Sequence, residues 1–308
     1  MNEISWKFLT TPLCLACIVT AGCHKAPKTL QESQLLASAD DTEVLDAYWK
    51  RKSPPDLCNG NGRTIAIADF GVQFVTQKMK ALGIDQPVVG IPIGAVGVAI
   101  WALGFERNNV IFPDATFEEL PDALYGEFVT NLEERGFTVI PPESIRGTSA
   151  YAQFETTEMR ESGGEYQLNL AATDTGRVKI FKVLGPSELP LIVKATDGAK
   201  TNDVLTSLGE ELNADLVMRV FVRIGVYRGR ATVEYDTRIE ATTVETTGTL
   251  QAIKSVISEE EVIAENKWEL IVGETETVDG EAYYNAIMDL FMPFIGSAFS
   301  CPDGTEAS

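Results

Sequence analysis

The sequence predicts an α/β domain of the α+β type: a mixed sheet with helices packed on it, whose C-terminal half is an antiparallel meander. Residues 64–70 form a short apolar run typical of a buried strand. Residues 118–135 carry apolar side chains at i+4 spacing, which predicts an amphipathic helix. Residues 231–242 alternate between apolar and polar side chains, which is the pattern of a half-buried strand.

The first half of the chain predicts a strand, a helix and a second strand. Residues 40–52 fit a short helix, and residues 71–82 fit a polar, partly helical connection. The helix over 118–135 ends at Gly136, and the strand over 137–140 follows it directly. This order predicts a βαβ unit with a long insertion in its crossover.

The second half predicts mostly antiparallel strands and two helices. Thr201 or Asn202 is the expected N-cap of a helix that ends at Asn213, and a closing helix occupies about 280–299. Residues 228–230 read as a hairpin turn, and Glu259-Glu260-Glu261 as an acidic loop. The expected strands cover 177–184, 191–193, 214–227, 231–242 and 249–258.

The N-terminus predicts export. Lys7 precedes an apolar run that ends in Thr20-Ala21-Gly22-Cys23, the pattern of a secretory signal peptide with a small-residue cleavage site. Cysteine directly after Ala-Gly resembles the lipobox of bacterial lipoproteins, in which that cysteine receives the lipid. Cys23 is therefore the expected lipidation site, although Leu is usual where Thr20 stands. Cys17 is a weaker competitor, and soluble export with ordinary cleavage is the alternative.

These signals divide the chain into four parts. Residues 1–22 are the expected signal peptide and 23–63 a lipid-anchored tether. Residues 64–301 are a single domain, and 302–308 a short tail. His24 after the cysteine resembles the signal for sorting to the outer membrane. We therefore expect a bacterial envelope protein, lipid-anchored at the outer membrane and facing the periplasm.

The cysteines predict one disulfide. Cys14 and Cys17 leave with the signal peptide and Cys23 takes the lipid, so that Cys58 and Cys301 remain as a pair. An oxidising compartment favours their pairing, which would tie together the two ends of the domain. Two free thiols are the alternative.

Charge and histidine content argue against several functions. The net charge of −20 disfavours nucleic-acid binding and electrostatic docking on anionic lipid. The one histidine, His24, lies beside the anchor, so Ser-His or Cys-His catalysis and His-ligated metal sites are not expected. The carboxylate clusters fit no EF-hand, and no cofactor is predicted.

Two short motifs resemble a known group of envelope proteins. The strand Ile65–Phe70, and the step from a helix into Ala214-Asp215-Leu216-Val217, resemble the α/β domain of the curli-secretion-channel lipoproteins. This domain type recurs in lipoprotein activators of peptidoglycan synthases and in the N-terminal domain of the Tol periplasmic protein. The resemblance covers about 64–258 and implies binding and assembly rather than catalysis. Met218-Arg219 stands where the family usually has a glycine.

An apolar insertion is the most unusual internal feature. Residues 88–105 contain no charged side chain, and as a helix they would fall just short of a hydrocarbon core. Burial or an oligomer interface is one interpretation, and membrane contact is the other. We expect contact surfaces in this segment and in the closing helix, carried by Val88, Ile91, Ile93, Val96, Val98, Ile100, Trp101, Phe105, Phe291, Phe294 and Phe299.

The expected function is a non-enzymatic accessory that binds another envelope protein or itself. The alternative is an oligomeric membrane channel or secretion component that uses residues 88–105. An enzyme that works through carboxylates alone is a third possibility.

Overall fold

The structure is a computed structural model that describes residues 49–52, 57, 60–81, 105–162, 177–233, 237–243, 247–252, 256–269 and 273–299. Thirteen strands of these residues form one mixed sheet, and two more form a small second sheet. The predicted α+β class with antiparallel C-terminal strands is confirmed. The strands are β1 (Trp49–Lys52), β2 (Thr64–Ala81), β3 (Phe105–Ile111), β4 (Thr138–Ile140), β5 (Phe154–Thr157), β6 (Met159–Ser162), β7 (Arg177–Leu184), β8 (Leu191–Ala195), β9 (Leu216–Tyr227), β10 (Arg230–Val233), β11 (Arg238–Thr242), β12 (Thr247–Ala252), β13 (Val256–Glu261), β14 (Ile263–Glu269) and β15 (Gly273–Val278).

The helices pack on both faces of the large sheet. They are α1 (Asp114–Glu134), α2 (Pro142–Arg146), α3 (Thr201–Leu212) and α4 (Gly280–Ala298), with a 3-10 turn at Tyr151–Gln153. The predicted helices over 118–135, 201–213 and 280–299 are present. Asn213 ends α3 in the left-handed conformation at φ 51°, as its position predicts, while the N-cap of α3 is Lys200 rather than Thr201 or Asn202.

The long strand β2 organises the sheet. Its first residues pair in parallel with β4 on one side and β9 on the other, which matches the predicted βαβ unit. Its second half pairs antiparallel with β7 and β3. The expected helical connection over 71–82 is therefore wrong, because residues 71–81 continue β2 and bury Val72, Phe74 and Val75.

The C-terminal strands differ in detail from the expected meander. Residues 231–242 belong to two strands, β10 and β11, which both pair with β9. The expected acidic loop over 259–261 is the end of β13, and β14 and β15 were not predicted. β15 pairs in parallel with β3, which itself pairs with the end of β2. At the opposite end, residues 49–52 form β1 rather than the end of a helix.

An aromatic core lies between the sheet and the helix pair α1 and α4. Phe70 contacts Phe128 of α1 with ring centroids 5.6 Å apart, and Phe112 contacts Tyr283 of α4 at 5.1 Å. Tyr283 is fully buried and its hydroxyl donates to the carbonyl of Gly225 at 3.2 Å. Helices α1 and α4 therefore cover this face of the sheet.

A second core covers the start of β2 and β9 on the opposite face. Ala66 and Val217 of the sheet pack there with Leu208 of α3 and with Tyr151 and Ile192. The cluster does not include the later residues of β2 and β9 on this face, which contact other side chains.

Candidate interaction surface

A bulge in β2 places an acidic side chain on the face of the sheet that α3 partly covers. Ile67 is opposite Met218 and Asp69 is opposite Arg219, so that Ala68 is the extra residue on β2. Ala66 and Ala68 pack beneath α3, whereas Phe70 contacts α1 on the other face. Asp69 consequently points to the α3 side, away from the aromatic core.

Asp69 is fully buried and is held by a guanidinium group. Arg219 donates from Nη2 at 2.9 Å and from Nε at 3.3 Å to Oδ2 of Asp69. The backbone N–H of Ile192 donates to Oδ1 at 3.3 Å, which ties β8 to β2. A buried charge needs such partners, because loss of hydration costs several kcal/mol for each ion.

The ion pair continues across the sheet. Nη1 of Arg219 lies 3.3 Å from Oε2 of Glu240, and Nη2 of Arg238 lies 2.6 Å from Oε1 of the same carboxylate. Charges of alternating sign therefore run from β2 through β9 to β11. The charged side chains become more exposed along this path, from the buried Asp69 to the half-exposed Arg238.

A second arginine lies farther along β9. Nε and Nη2 of Arg223 donate to Oε1 of Gln73 at 3.2 and 3.1 Å. The guanidinium of Arg223 lies over the ring of Phe181, 4.3 Å from its centroid. Stacking and hydrogen bonding fix this guanidinium in place at a half-buried position.

Phe221 lies between the two arginines. The guanidinium of Arg219 is 5.0 Å from the ring centroid of Phe221. A Cβ on Gly71 would be 3.2 Å from Cδ1 of Phe221, so the absence of a side chain at Gly71 allows this ring to lie across β2. We name this surface the arginine face; it comprises Asp69, Gln73, Phe181, Arg219, Phe221, Arg223, Arg238 and Glu240.

The arginine face has the chemistry of a protein-binding surface. Partly exposed arginine and aromatic side chains are enriched at the energetic centres of protein interfaces. Its arginines outnumber its carboxylates three to two, whereas the whole chain carries a net charge of −20. Among the described residues of this face, arginine is therefore more frequent than carboxylate.

This face was not among the contact surfaces expected from the sequence. Its signal was the alternation Arg219-Val220-Phe221-Val222-Arg223, in which every second residue of a strand is basic or aromatic. The bulge at Ala68 conceals the contribution of β2, because strict alternation would place Asp69 on the same face as Ile67.

The three phenylalanines proposed as contacts on the closing helix belong to the core. Phe291, Phe294 and Phe299 are each fully buried. Phe294 lies 4.9 Å from the ring of Trp49, and Phe299 lies 5.9 Å from that of Phe128. The expectation that these side chains form an interaction surface is wrong, because α4 turns them toward the sheet and α1.

The remaining expected site residues fall mostly outside the described residues. Phe105 is the first residue of β3. The expected lipidation site, Cys23, and the expected disulfide pair, Cys58 and Cys301, lie outside the described residues, as do Val88, Ile91, Ile93, Val96, Val98, Ile100 and Trp101.

A buried polar cluster lies on the strands next to the arginine face. Lys78 of β2 donates to the carbonyl of Val226, and burial lowers the pKa of Lys78 from 10.5 to about 8. Burial also raises the pKa of Glu276, whose Oε2 accepts from Nδ2 of Asn108 at 3.1 Å. These contacts join β2, β3, β9 and β15.

A shallow cavity of about 260 Å³ lies between the first turns of α1 and α4. Its lining includes Pro113, Thr116, Glu119, Gly280 and Glu281. Within the described ranges, no group of three or more His, Cys, Asp or Glu side chains is placed to hold a metal ion. The same ranges contain no helix that is both long and apolar enough to cross a membrane.

Comparison of the chain with known protein families, with curated proteins and with solved structures found no match in any of the three.

Proposed function

We propose that this protein is a cell-envelope lipoprotein that acts as a non-enzymatic binding or assembly module. A lipid on Cys23 holds it at the outer membrane, and its domain binds another envelope protein in the periplasm. The arginine face is the observation that carries the binding role. Arg223 stacks on Phe181, bonds to Gln73 and lies half-buried beside Phe221.

The charge of the arginine face indicates the chemistry of the partner. Three arginines and two carboxylates meet there, and Arg219 bridges both carboxylates. A partner surface that presents Asp or Glu would meet complementary charge here and like charge on most of the remaining protein. The bound protein therefore presents carboxylates to the arginine face.

Charge reversal at Arg223 tests the binding role. Envelopes are solubilised in mild detergent from the native host, and the size of the complex that contains this protein is measured by gel filtration. Arg223→Glu should shift the protein to a smaller species, while Lys200→Glu, at an exposed position on the α3 side, should not. An unchanged elution for Arg223→Glu, or an equal shift for both variants, contradicts the proposal.

Metabolic labelling tests the anchor separately. Radioactive palmitate should label the wild-type chain and the Cys17→Ser variant, and it should not label Cys23→Ser. Label that persists in Cys23→Ser would place the lipid elsewhere, and absence of label from the wild type would contradict lipidation.

A membrane channel or secretion component is the second candidate function. Its support is the pairing of β2 with β3, in which Ala81 lies opposite Phe105, so that the described residues on either side of 88–104 are adjacent in the sheet. Lys80 is also opposite Arg177, where β7 begins. Both pairs lie at the same end of β2.

Dye release from liposomes separates the two candidates. The full chain and a variant that lacks residues 88–104, with β3 left intact, are compared at equal protein-to-lipid ratios. Release by the full chain that is lost in the deletion supports the channel. Absence of release from both proteins excludes it and leaves the binding module.

A further inference from the structure

The last strand of the large sheet has an open edge. β14 pairs with β15 along one side, and among the described residues no strand pairs with its other side. All side chains from Ala264 to Glu269 are exposed. Within the part of the chain that the structure describes, the outer backbone N–H and C=O groups of β14 therefore have no strand partner and can pair with another strand.

The side chains of β14 are divided between the two faces of the strand. Glu265, Lys267 and Glu269 share one face, where Nζ of Lys267 lies 2.8 Å from Oε2 of Glu265. Asn266 and Trp268 share the other, where Asn266 donates to Glu274 at 2.7 Å. Trp268 is 69% exposed, more than any other large apolar side chain of the described residues.

We propose that β14 pairs antiparallel with β14 of a second copy of this chain, about a twofold axis at Trp268. Trp268 then lies opposite Trp268 of the second copy, and each Lys267 lies opposite a Glu269. Opposite charges in directly opposed positions favour strand pairing, and the two indoles cover each other. The interface is isologous, because the same strand is used on both sides.

The pattern of charges and the bulge select this register. A twofold axis at Lys267 would oppose Lys267 to itself and Glu265 to Glu269, which places like charges together. An axis at Asn266 would oppose Lys267 to Glu265, but it would bring Trp268 opposite Ala264. The register of β14 against β15 shifts between Ile263 and Glu265, so that Ala264 is the bulged residue and interrupts regular pairing there.

Charged residues on an edge strand usually prevent pairing. On β14 a single lysine lies between two glutamates, so an antiparallel copy in this register meets opposite charge. The interface is small, and such contacts give weak dimers in dilute solution. This inference rests on the proposed lipid anchor only for its strength, since two chains on one membrane have a raised effective concentration.

Cysteine cross-linking of the full chain in native membranes tests the register. Trp268→Cys, Lys267→Cys and Asn266→Cys are oxidised under the same conditions and compared with the wild type on non-reducing gels. Only residue 268 lies opposite itself within the distance that a disulfide spans. We expect at least about fivefold more disulfide dimer from Trp268→Cys than from the other two. Dimer levels equal to the wild type in all three, or a maximum at 266 or 267, overturn the proposal.

Charge reversal gives an independent test that retains Trp268. Chemical cross-linking in membranes should fall at least about threefold in Glu269→Lys and recover in the double variant Lys267→Glu/Glu269→Lys. The matched variant Glu265→Lys should behave as the wild type. Loss of dimer in Glu265→Lys with none in Glu269→Lys overturns the register. Arg223→Glu should leave this dimer unchanged, so failure of the arginine face and failure of the β14 interface are distinguishable.

Discussion

Arg219 donates two hydrogen bonds to one oxygen of the fully buried Asp69, from Nη2 at 2.9 Å and from Nε at 3.3 Å. Arg219 also contacts Glu240, so one guanidinium bridges two carboxylates from the strands on either side of β9. The pair exists because the bulge at Ala68 places Asp69 on the same face of the sheet as Arg219. It connects the inner part of the sheet to the surface proposed to bind a partner.

Removal of Arg219 should destabilise the protein strongly. Arg219→Met leaves Asp69 buried without its counter-charge, which should lower the free energy of unfolding in urea by about 3–5 kcal/mol. The double variant Asp69→Asn/Arg219→Met should recover part of this loss. Lys194→Met breaks an exposed ion pair with Glu155 and should cost less than about 1 kcal/mol. An equal loss of unfolding free energy in Arg219→Met and Lys194→Met would contradict a structural role for the buried pair.

Substitution of alanine for two glycines should change the stability of the protein in opposite directions. A Cβ on Gly60 would lie 2.3 Å from the backbone of Gly136, so Gly60→Ala should cost about 1–3 kcal/mol through forced displacement. Gly126 lies within α1 with open space around its Cα, and Gly126→Ala should stabilise the protein by about 0.5–1 kcal/mol. Thermal unfolding measures both, and a stabilising Gly60→Ala would show that the contact of residues 60 and 136 is wrong.

Stability should rise with pH above neutrality because of Lys78. Burial lowers the pKa of Lys78 in the folded protein from 10.5 to about 8, so between these values the unfolded chain binds more protons. The free energy of unfolding should therefore increase by about 1–2 kcal/mol from pH 7.5 to 9.5.

Lys78→Met removes this titration and should flatten the pH dependence measured by urea unfolding. Lys200→Met, at an exposed lysine, is the matched control and should retain the wild-type slope. A stability that falls over this interval in the wild type, or a slope unchanged in Lys78→Met, would contradict the burial of Lys78.

The phenylalanines of α4 should contribute to stability rather than to binding. Phe294 is fully buried against Trp49, and Phe294→Ala should lower the free energy of unfolding by about 3–5 kcal/mol. Trp268→Ala changes an exposed aromatic and should stay within about 0.5 kcal/mol of the wild type. A Phe294→Ala variant of wild-type stability would restore the surface role that the sequence suggested.

The sequence predicted the elements whose periodicity is local and uninterrupted. The helix over 118–135 and the strand over 214–227 have regular spacing, and Asn213 marks the end of α3. The second half of β2 was missed because Gln73, Gln77 and Lys78 break the apolar run there. Their polar groups are satisfied by long-range partners, such as Arg223 and the carbonyl of Val226.

The candidate site could not be predicted for a similar reason. The arginine face joins β2, β7, β9 and β11, and strand order is not written in local periodicity. β14 was missed because its exposed edge lacks the apolar alternation of a half-buried strand. Phe294 was misassigned because an apolar helix face has the same pattern whether a core or a partner covers it.

Site-specific photo-cross-linking from the arginine face tests the proposed binding role most directly. In one variant a photoreactive phenylalanine replaces Phe221, which lies between Arg219 and Arg223. In a separate control variant it replaces Glu134, at the exposed end of α1. After irradiation of intact cells of the native host, position 221 should give a discrete adduct that Arg223→Glu reduces at least about fivefold, and position 134 should give none. Absence of an adduct at 221, or an adduct insensitive to Arg223→Glu, would contradict the account.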